Sequence, residues 1–338
     1  MISRRRLIQT AALSISLSLT SLSAFAQDTI KIGLLRLASH SPSIIADGKG
    51  YFAKEGLKVE FVVFQAAQPM AVAIASGDVD FGVTAISASL LNLAQKDVIR
   101  IVGGALTESK GIEGQKILVS KAAFDAGVTT PAKLKGRTFG VTTAGSSFHY
   151  MAHKIADKEG FARSDIKIKP LQKVPAVVAA LKSGQIDAWS IVPNIASGLT
   201  KGGDVVEIGR VSDYVENYQV TVVFTSKKIA TQNPNLVKLF LKAFDQGVQT
   251  YNAAFVQKSL PAAEVDEVVA MVHKYVYNDQ PLEKAAPRIK AGAMLVSPQS
   301  QLNLASVQDQ LQWFQSEGMV PKDLTINQLV DTSFVQTK

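Results

Sequence analysis

The chain has no cysteine in its 338 residues. That absence excludes disulfides, thiolate metal sites, cysteine nucleophiles and any lipid attached through sulfur. Aromatic residues are sparse at 7%, and the lysines are scattered, with no basic stripe interleaved with rings. Such a pattern argues against nucleic acid as a partner. Beyond the first 26 residues no apolar stretch approaches the ~18 uninterrupted residues that a membrane span needs.

The first 26 residues read as an export address. Arg4-Arg5-Arg6 form a positive n-region, Leu7 to Leu22 is mostly apolar, and Ala24-Phe25-Ala26 is an A-x-A cleavage site. Ser3-Arg4-Arg5-Arg6-Leu7 also resembles a twin-arginine signal, so the general secretory route and the twin-arginine route both stay open. The expected mature chain starts at Gln27 or Asp28, free in the periplasm. Cleavage lowers Lys plus Arg from 36 to 33 against 28 Asp plus Glu, and net charge from +8 to +5. A mildly basic balance suits small anions. The roughly 310 residues that remain are more than one core usually spans, which predicts two lobes.

The chain also repeats itself. Gly33/Gly140, Gln65/Gln172, Ser76/Ser183, Gly77/Gly184 and Asp80/Asp187 all sit at one offset of 107 residues, in order. Lys54-Glu55-Gly56 and Lys158-Glu159-Gly160 match at an offset of 104, a difference that a short loop absorbs. Each copy predicts strand, helix, strand, helix, strand. In the first copy these are 29–35, 43–54, 59–64, 69–76 and 79–83; in the second, 138–142, 147–159, 166–171, 175–183 and 186–191.

Short apolar strands alternating with helices imply an α/β protein with parallel sheets covered on both faces. Two such Rossmann-like lobes leave a crevice at the carboxyl ends of their strands. After each copy a polar stretch leads into a β-prone run, at 106–120 and 211–225, and these read as a two-strand hinge between the lobes. The expected division is residues 1–26 as signal, 27–114 as the first part of lobe one and 115–219 as lobe two. Residues 220–338 return and complete lobe one with helices. Asn233-Pro234 opens one of these, with Leu236, Phe240, Phe244 and Val248 on one face, and another carries Leu311, Trp313 and Phe314 before Gly318.

Several segments resemble the periplasmic binding proteins for nitrate, sulfonates and taurine, with their thiamine-pyrimidine-binding relatives. They are 50–59 (GYFAKEGLKV), 74–82 (IASGDVDFG), 134–137 with 145–147, 180–188 (ALKSGQIDA) and 329–334. The resemblance implies the type II periplasmic binding protein fold, a monomer that binds a small, anionic ligand, and delivery to the permease and ATPase of an ABC importer. It implies neither catalysis nor a cofactor.

The loops that follow the strands are the candidate ligand contacts. In lobe one they bring Arg36, Ser39, His40, Ser41, Gln65, Gln68, Thr84 and Ser87; in lobe two, Thr143, Gly145, Ser146, Ser147, Phe148, Trp189 and Asn194. Gly145-Ser146-Ser147 leads this set, because a helix start offers free N–H groups and a favourable dipole to an anion. The plainer reading of Ser146 is an ordinary N-cap. His40 matches a histidine of the thiamine-pyrimidine relatives, but their preceding loop is replaced here by Leu35-Arg36-Leu37-Ala38-Ser39. Arg36 can reach a carboxylate or sulfonate with both arms. Trp189 either stacks on a planar ligand or fills core, with core favoured.

Other chemistries find less support. His149 and His153 have zinc-ligand spacing, but Tyr150 stands where a metalloprotease needs glutamate, and the pair reads as incidental. Ser146 lacks a nucleophile elbow, and Gly202-Gly203 reads as a turn. The pyrimidine synthase branch of the superfamily uses cysteines that this chain lacks. A lobe that docks on a membrane sensor kinase instead of a permease stays open.

Overall fold

The computed structural model describes residues 28–337, so the expected signal segment lies outside the described residues. Ten strands form two five-stranded sheets. Strands β1 (Asp28–Leu35), β2 (Leu57–Phe64), β3 (Phe81–Ala85) and β4 (Ile99–Gly104) lie in the first, and β5 (Lys116–Ser120), β6 (Thr138–Val141), β7 (Lys167–Pro170), β8 (Ala188–Ile191) and β9 (Val205–Arg210) form the second. Strand β10 (Thr221–Ser226) returns to the first sheet. The orders are β2-β1-β3-β10-β4 and β7-β6-β8-β5-β9, one pattern built twice.

The repeat is visible in contacts as well as topology. Asp80 Oδ2 accepts the Lys31 N–H and Asp187 Oδ2 accepts the Thr138 N–H, each at 2.7 Å, so the same carboxylate pins the first strand of both copies. A Cβ on Gly33 would lie 2.9 Å from Met70, and one on Gly140 would lie 2.9 Å from Val177. Glycine at these two positions lets a helix approach its sheet equally closely in each lobe. Gly77 and Gly184 both take positive φ where a helix ends.

Two expectations are corrected in detail. The helix expected over 43–54 is two pieces, Ser41–Gly48 and Tyr51–Lys54, because Gly50 has φ of +71° and cannot continue a right-handed helix. The β-prone runs are inner antiparallel strands, β5 between β8 and β9, and β10 between β3 and β4. The passage between lobes lies just before each of them. There Glu108 N–H donates to the Tyr218 carbonyl and Val220 N–H to the Leu106 carbonyl, both at 2.9 Å. A third segment joins this pair, as Thr107 N–H bonds Leu295 and Ser297 N–H bonds Ala105.

The C-terminal helices touch both lobes. Helix Pro234–Tyr251, capped by Asn233, buries Phe240, Phe244 and Val248 and packs on Ser41–Gly48. Helix Leu282–Ala291 packs on Pro193–Lys201 of the second sheet's lobe. Helix Leu304–Ser316 sends Trp313 against His149, Tyr150 and His153.

Gly247 faces the first of these contacts at close range: a Cβ there would lie 2.2 Å from the Pro42 carbonyl oxygen. Gly247→Ala should push the two helices apart and lower stability by about 1–3 kcal/mol. Calorimetric melting checks this; an unchanged Tm would contradict so close a contact.

Candidate functional site

The carboxyl ends of both sheets meet around a narrow cavity of about 50 Å³. Its walls come from the loop after β1 (Ser39, His40), the end of β3 (Thr84), and the turn into helix Ser147–Glu159 (Thr142, Ser146, Ser147, Phe148). The two strands that enter the sheets add Gln115, Val220 and Thr221. Two backbone hydrogen bonds cross from lobe to lobe. Ala88 N–H donates to Gly145 at 2.9 Å, and Val174 N–H to Gln65 at 3.3 Å. The lobes are therefore closed on each other.

Three buried polar atoms around this cavity lack a hydrogen-bond partner: Ser39 Oγ, Ser146 Oγ and Gln115 Nε2. They come from lobe one, lobe two and the passage just before β5. Leaving such atoms dry and unpaired costs about 1–3 kcal/mol each, so the fold carries a deficit that a ligand with matching polar atoms would relieve. Ser146 is decisive between its two readings. It occupies the N-cap position of Ser147–Glu159, yet its side chain makes no capping bond. Ser87 shows the contrast: it caps Ala88–Gln95 by accepting the Leu90 N–H at 3.3 Å, and it stays out of the cavity.

No lysine, arginine, aspartate or glutamate lines the cavity. His40 does, but it brings no positive charge. Its Nδ1 accepts the Leu35 N–H at 3.3 Å, and burial lowers its pKa to about 4 against a small upward pull from the Val83 carbonyl. What remains is a set of neutral donors, Ser146 among them at the start of a 13-residue helix, an arrangement able to stabilise an anion through dipoles.

The other expected contacts are placed as follows. Ser41 is buried and donates to the Ala38 carbonyl, away from the cavity. Gln68 is exposed, Thr143 half-buried, and neither lines the cavity. Trp189 is wholly buried behind Phe148, with ring centroids 5.4 Å apart, so it fills core. Asn194 is buried and donates to the Tyr277 hydroxyl at 2.7 Å. Arg36 and Gln65 sit outside, on a wider vestibule of about 830 Å³ that shares Leu35, Leu37 and Val174 with the cavity. The vestibule is walled mainly by apolar side chains such as Val63, Phe64, Val178, Ile195 and Leu199.

Sequence reasoning missed Gln115, Thr142 and Thr221 as wall residues. A usable signal existed: glutamine heads both β-prone runs, at 115 and 219. Only Gln115 faces the cavity; Gln219 spends its amide on the Leu106 and Thr221 carbonyls and on the Asn303 N–H.

His149 and His153 touch through Nε2 atoms 3.0 Å apart, while Gly145 N–H reaches His149 Nδ1 and Trp313 Nε1–H reaches His153 Nδ1. The Nε2 contact needs one ring to donate and the other to accept: His149 Nδ1 faces the Gly145 N–H, which leaves its proton on Nε2, and His153 Nδ1 lies near Glu317 Oε2 at 3.6 Å as well as Trp313. The pair suits neutral, packed rings. Among the described residues no group of three or more histidine, aspartate or glutamate side chains is placed to hold a metal.

Comparison with known proteins settles the lineage. A family model described as "NMT1/THI5 like" matches residues 38–254. The chain belongs to that family. A Bacillus subtilis protein provisionally named as an aliphatic sulfonates-binding protein is 30% identical over 224 residues, 65% of this chain and 64% of that one. The match thus spans under two thirds of that relative's length. The alkanesulfonate-binding protein SsuA from Xanthomonas axonopodis pv. citri, solved with MOPS bound, superposes with a TM-score of 0.69 at 19% identity, covering 92% of this chain and 98% of that chain. The desulfurization enzyme DSZB has the same fold at a TM-score of 0.57 and 16% identity, covering 91% and 97%. The architecture is that of the periplasmic binding proteins, and an enzyme has been built on it too.

Closure and charge at this site both make predictions. Gly145 has φ of +73°, and a Cβ on it would lie 2.7 Å from that of Ala88. Gly145→Ala should prop the lobes apart, and small-angle scattering should give a larger radius of gyration than for wild type; an equal radius would refute the contact. For His40, the folded pKa of about 4 lies below the unfolded value of 6.5. The unfolded chain therefore binds more protons below pH 6.5, and stability held above that pH is lost as pH falls toward 4, by about 3 kcal/mol. Urea denaturation of wild type and His40→Gln at pH 7.5 and 4.5 isolates this term. Equal pH slopes would show that His40 does not supply it.

Proposed function

We propose that this chain is the solute-binding component of an ABC importer, exported to the periplasm behind a cleavable signal in residues 1–26. It captures a small organic anion by hinge closure and hands it to a membrane permease driven by an ATPase. The observation that carries this reading is the set of unpaired donors from both lobes around one closed cavity. A ligand that pairs with Ser39, Ser146 and Gln115 together binds the closed state better than the open one, and that difference shifts the population.

Family membership and the sulfonate-binding relatives support an anionic head such as a sulfonate or carboxylate. The apolar vestibule that opens from the cavity favours an organic tail over a bare inorganic ion. The altered loop before His40 weighs against a thiamine-type pyrimidine.

A thermal-shift screen tests the proposal. Straight-chain sulfonates of increasing length, taurine, nitrate, aromatic carboxylates and pyrimidines would be compared at equal concentration. A ligand at 100 times its Kd should add about 2.7 kcal/mol of stability. Sulfonates with short alkyl or aryl tails should outperform nitrate. A pyrimidine that stabilises the protein more than every anion would overturn the ligand class.

A further inference from the structure

Glu108 lies in the first passage between the lobes and is completely buried. Its backbone N–H bonds the Tyr218 carbonyl of the second passage, so the residue is part of the hinge. Oε1 accepts the Gln115 N–H at 2.9 Å, whereas Oε2 has no partner. Oε2 is pressed so tightly on the chain that a Cβ at Gly114 would lie 2.2 Å from it. The Tyr218 hydroxyl is unpaired too, as is Gln115 Nε2, which borders the ligand cavity. One residue, Gln115, therefore spans from a buried acid to the binding site.

The charged surroundings offer that acid little. Lys116 faces it, but its ammonium is held by Glu113 at 2.6 Å and Glu207 at 3.4 Å. Glu113 adds negative charge, and Asp309 lies beyond Tyr218, where it bonds Tyr150. Burial pushes the Glu108 carboxyl up to about 7, with the Gln115 N–H and Lys116 pulling it partly back.

We propose that Glu108 is a proton-linked positioning residue, taking up one proton from solvent as an anion enters the cavity and setting the affinity for that anion through Gln115. This rests on the anion reading above. Two negative charges in one dry region repel strongly, because little water screens them. An ionised Glu108 also draws the Gln115 NH2 toward itself. Once protonated, its Oε2–H can donate to the Gln115 amide oxygen, which turns the NH2 toward the cavity. Charge balances: carboxylate, anion and one proton become a neutral acid beside a bound anion. His40, His149 and His153 cannot mimic the effect near neutrality, since burial holds the first two down to about 4 and lowers the third as well.

Titration calorimetry with 1-butanesulfonate, which stays ionised throughout, tests this at pH 5.5, 6.5, 7.5 and 8.5. Wild-type Kd should weaken by about tenfold from pH 6.5 to 8.5, and Glu108→Gln should show a flat profile. Repeating wild type at pH 7.5 in two buffers of different ionisation enthalpy should reveal net proton uptake on binding, a readout that needs no variant to fold. A flat wild-type profile without proton uptake overturns the linkage alone. An equal slope in Glu108→Gln assigns it to another group and overturns the role of Glu108. No binding of butanesulfonate, nitrate or benzoate at any pH overturns the anion reading and this inference with it.

Discussion

Everything in this molecule hangs on where the chain enters each sheet after it crosses between lobes. Both crossings run straight into an antiparallel strand that is hydrogen-bonded on both sides, β5 in one lobe and β10 in the other. A strand held on two sides is a firm anchor, and the few residues before it carry fewer such bonds. Those residues bond to one another and to the segment around Leu295, which gives the connection a ribbon's preferred bending direction. The same entry points put Gln115 and Thr221 at the cavity wall. The passage between the lobes and the wall of the candidate cavity thus adjoin along the chain.

The repeated unit explains why the cavity lies at this end. Parallel strands deliver loops and helix starts to their carboxyl edge, and two copies facing each other bring those edges together. Asp80 and Asp187 hold the first strand of each copy in the same way, so the edges are matched in shape as well as in topology. The turn after the first strand keeps the match too: Ser39 and Ser146 lie 107 residues apart, and both leave their hydroxyls unpaired at the cavity.

Much of the fold was legible in the sequence because the features that specify it are local. Glycines at helix ends, alternating apolar runs and the 107-residue offset mark strands and helices without reference to distant contacts. Edge strands β4 and β9 escaped, since they lie outside the matched positions and carry a weaker pattern. The break at Gly50 was missed because the apolar periodicity runs through it. At the site, Ser39, His40, Thr84, Ser146, Ser147 and Phe148 were legible from their place after strands. Gln115 was not, because a residue at the head of an inner strand looks like sheet until the partner lobe is present. Nor could sequence show which serine spends its hydroxyl on the backbone, a choice made by the local geometry of each turn.

A cavity walled by neutral donors has a further consequence for the company it keeps. An anion that enters must leave its hydration shell behind and receives dipoles, not an opposite charge, in exchange. Singly charged, diffuse ions such as sulfonates surrender water easily, so the exchange favours them. Compact or doubly charged ions such as phosphate and sulfate hold water far more tightly and lose by the same exchange. On the anion reading proposed above, a cavity wall without lysine or arginine among its described residues would act as a filter on hydration strength, favouring weakly hydrated anions over phosphate and sulfate.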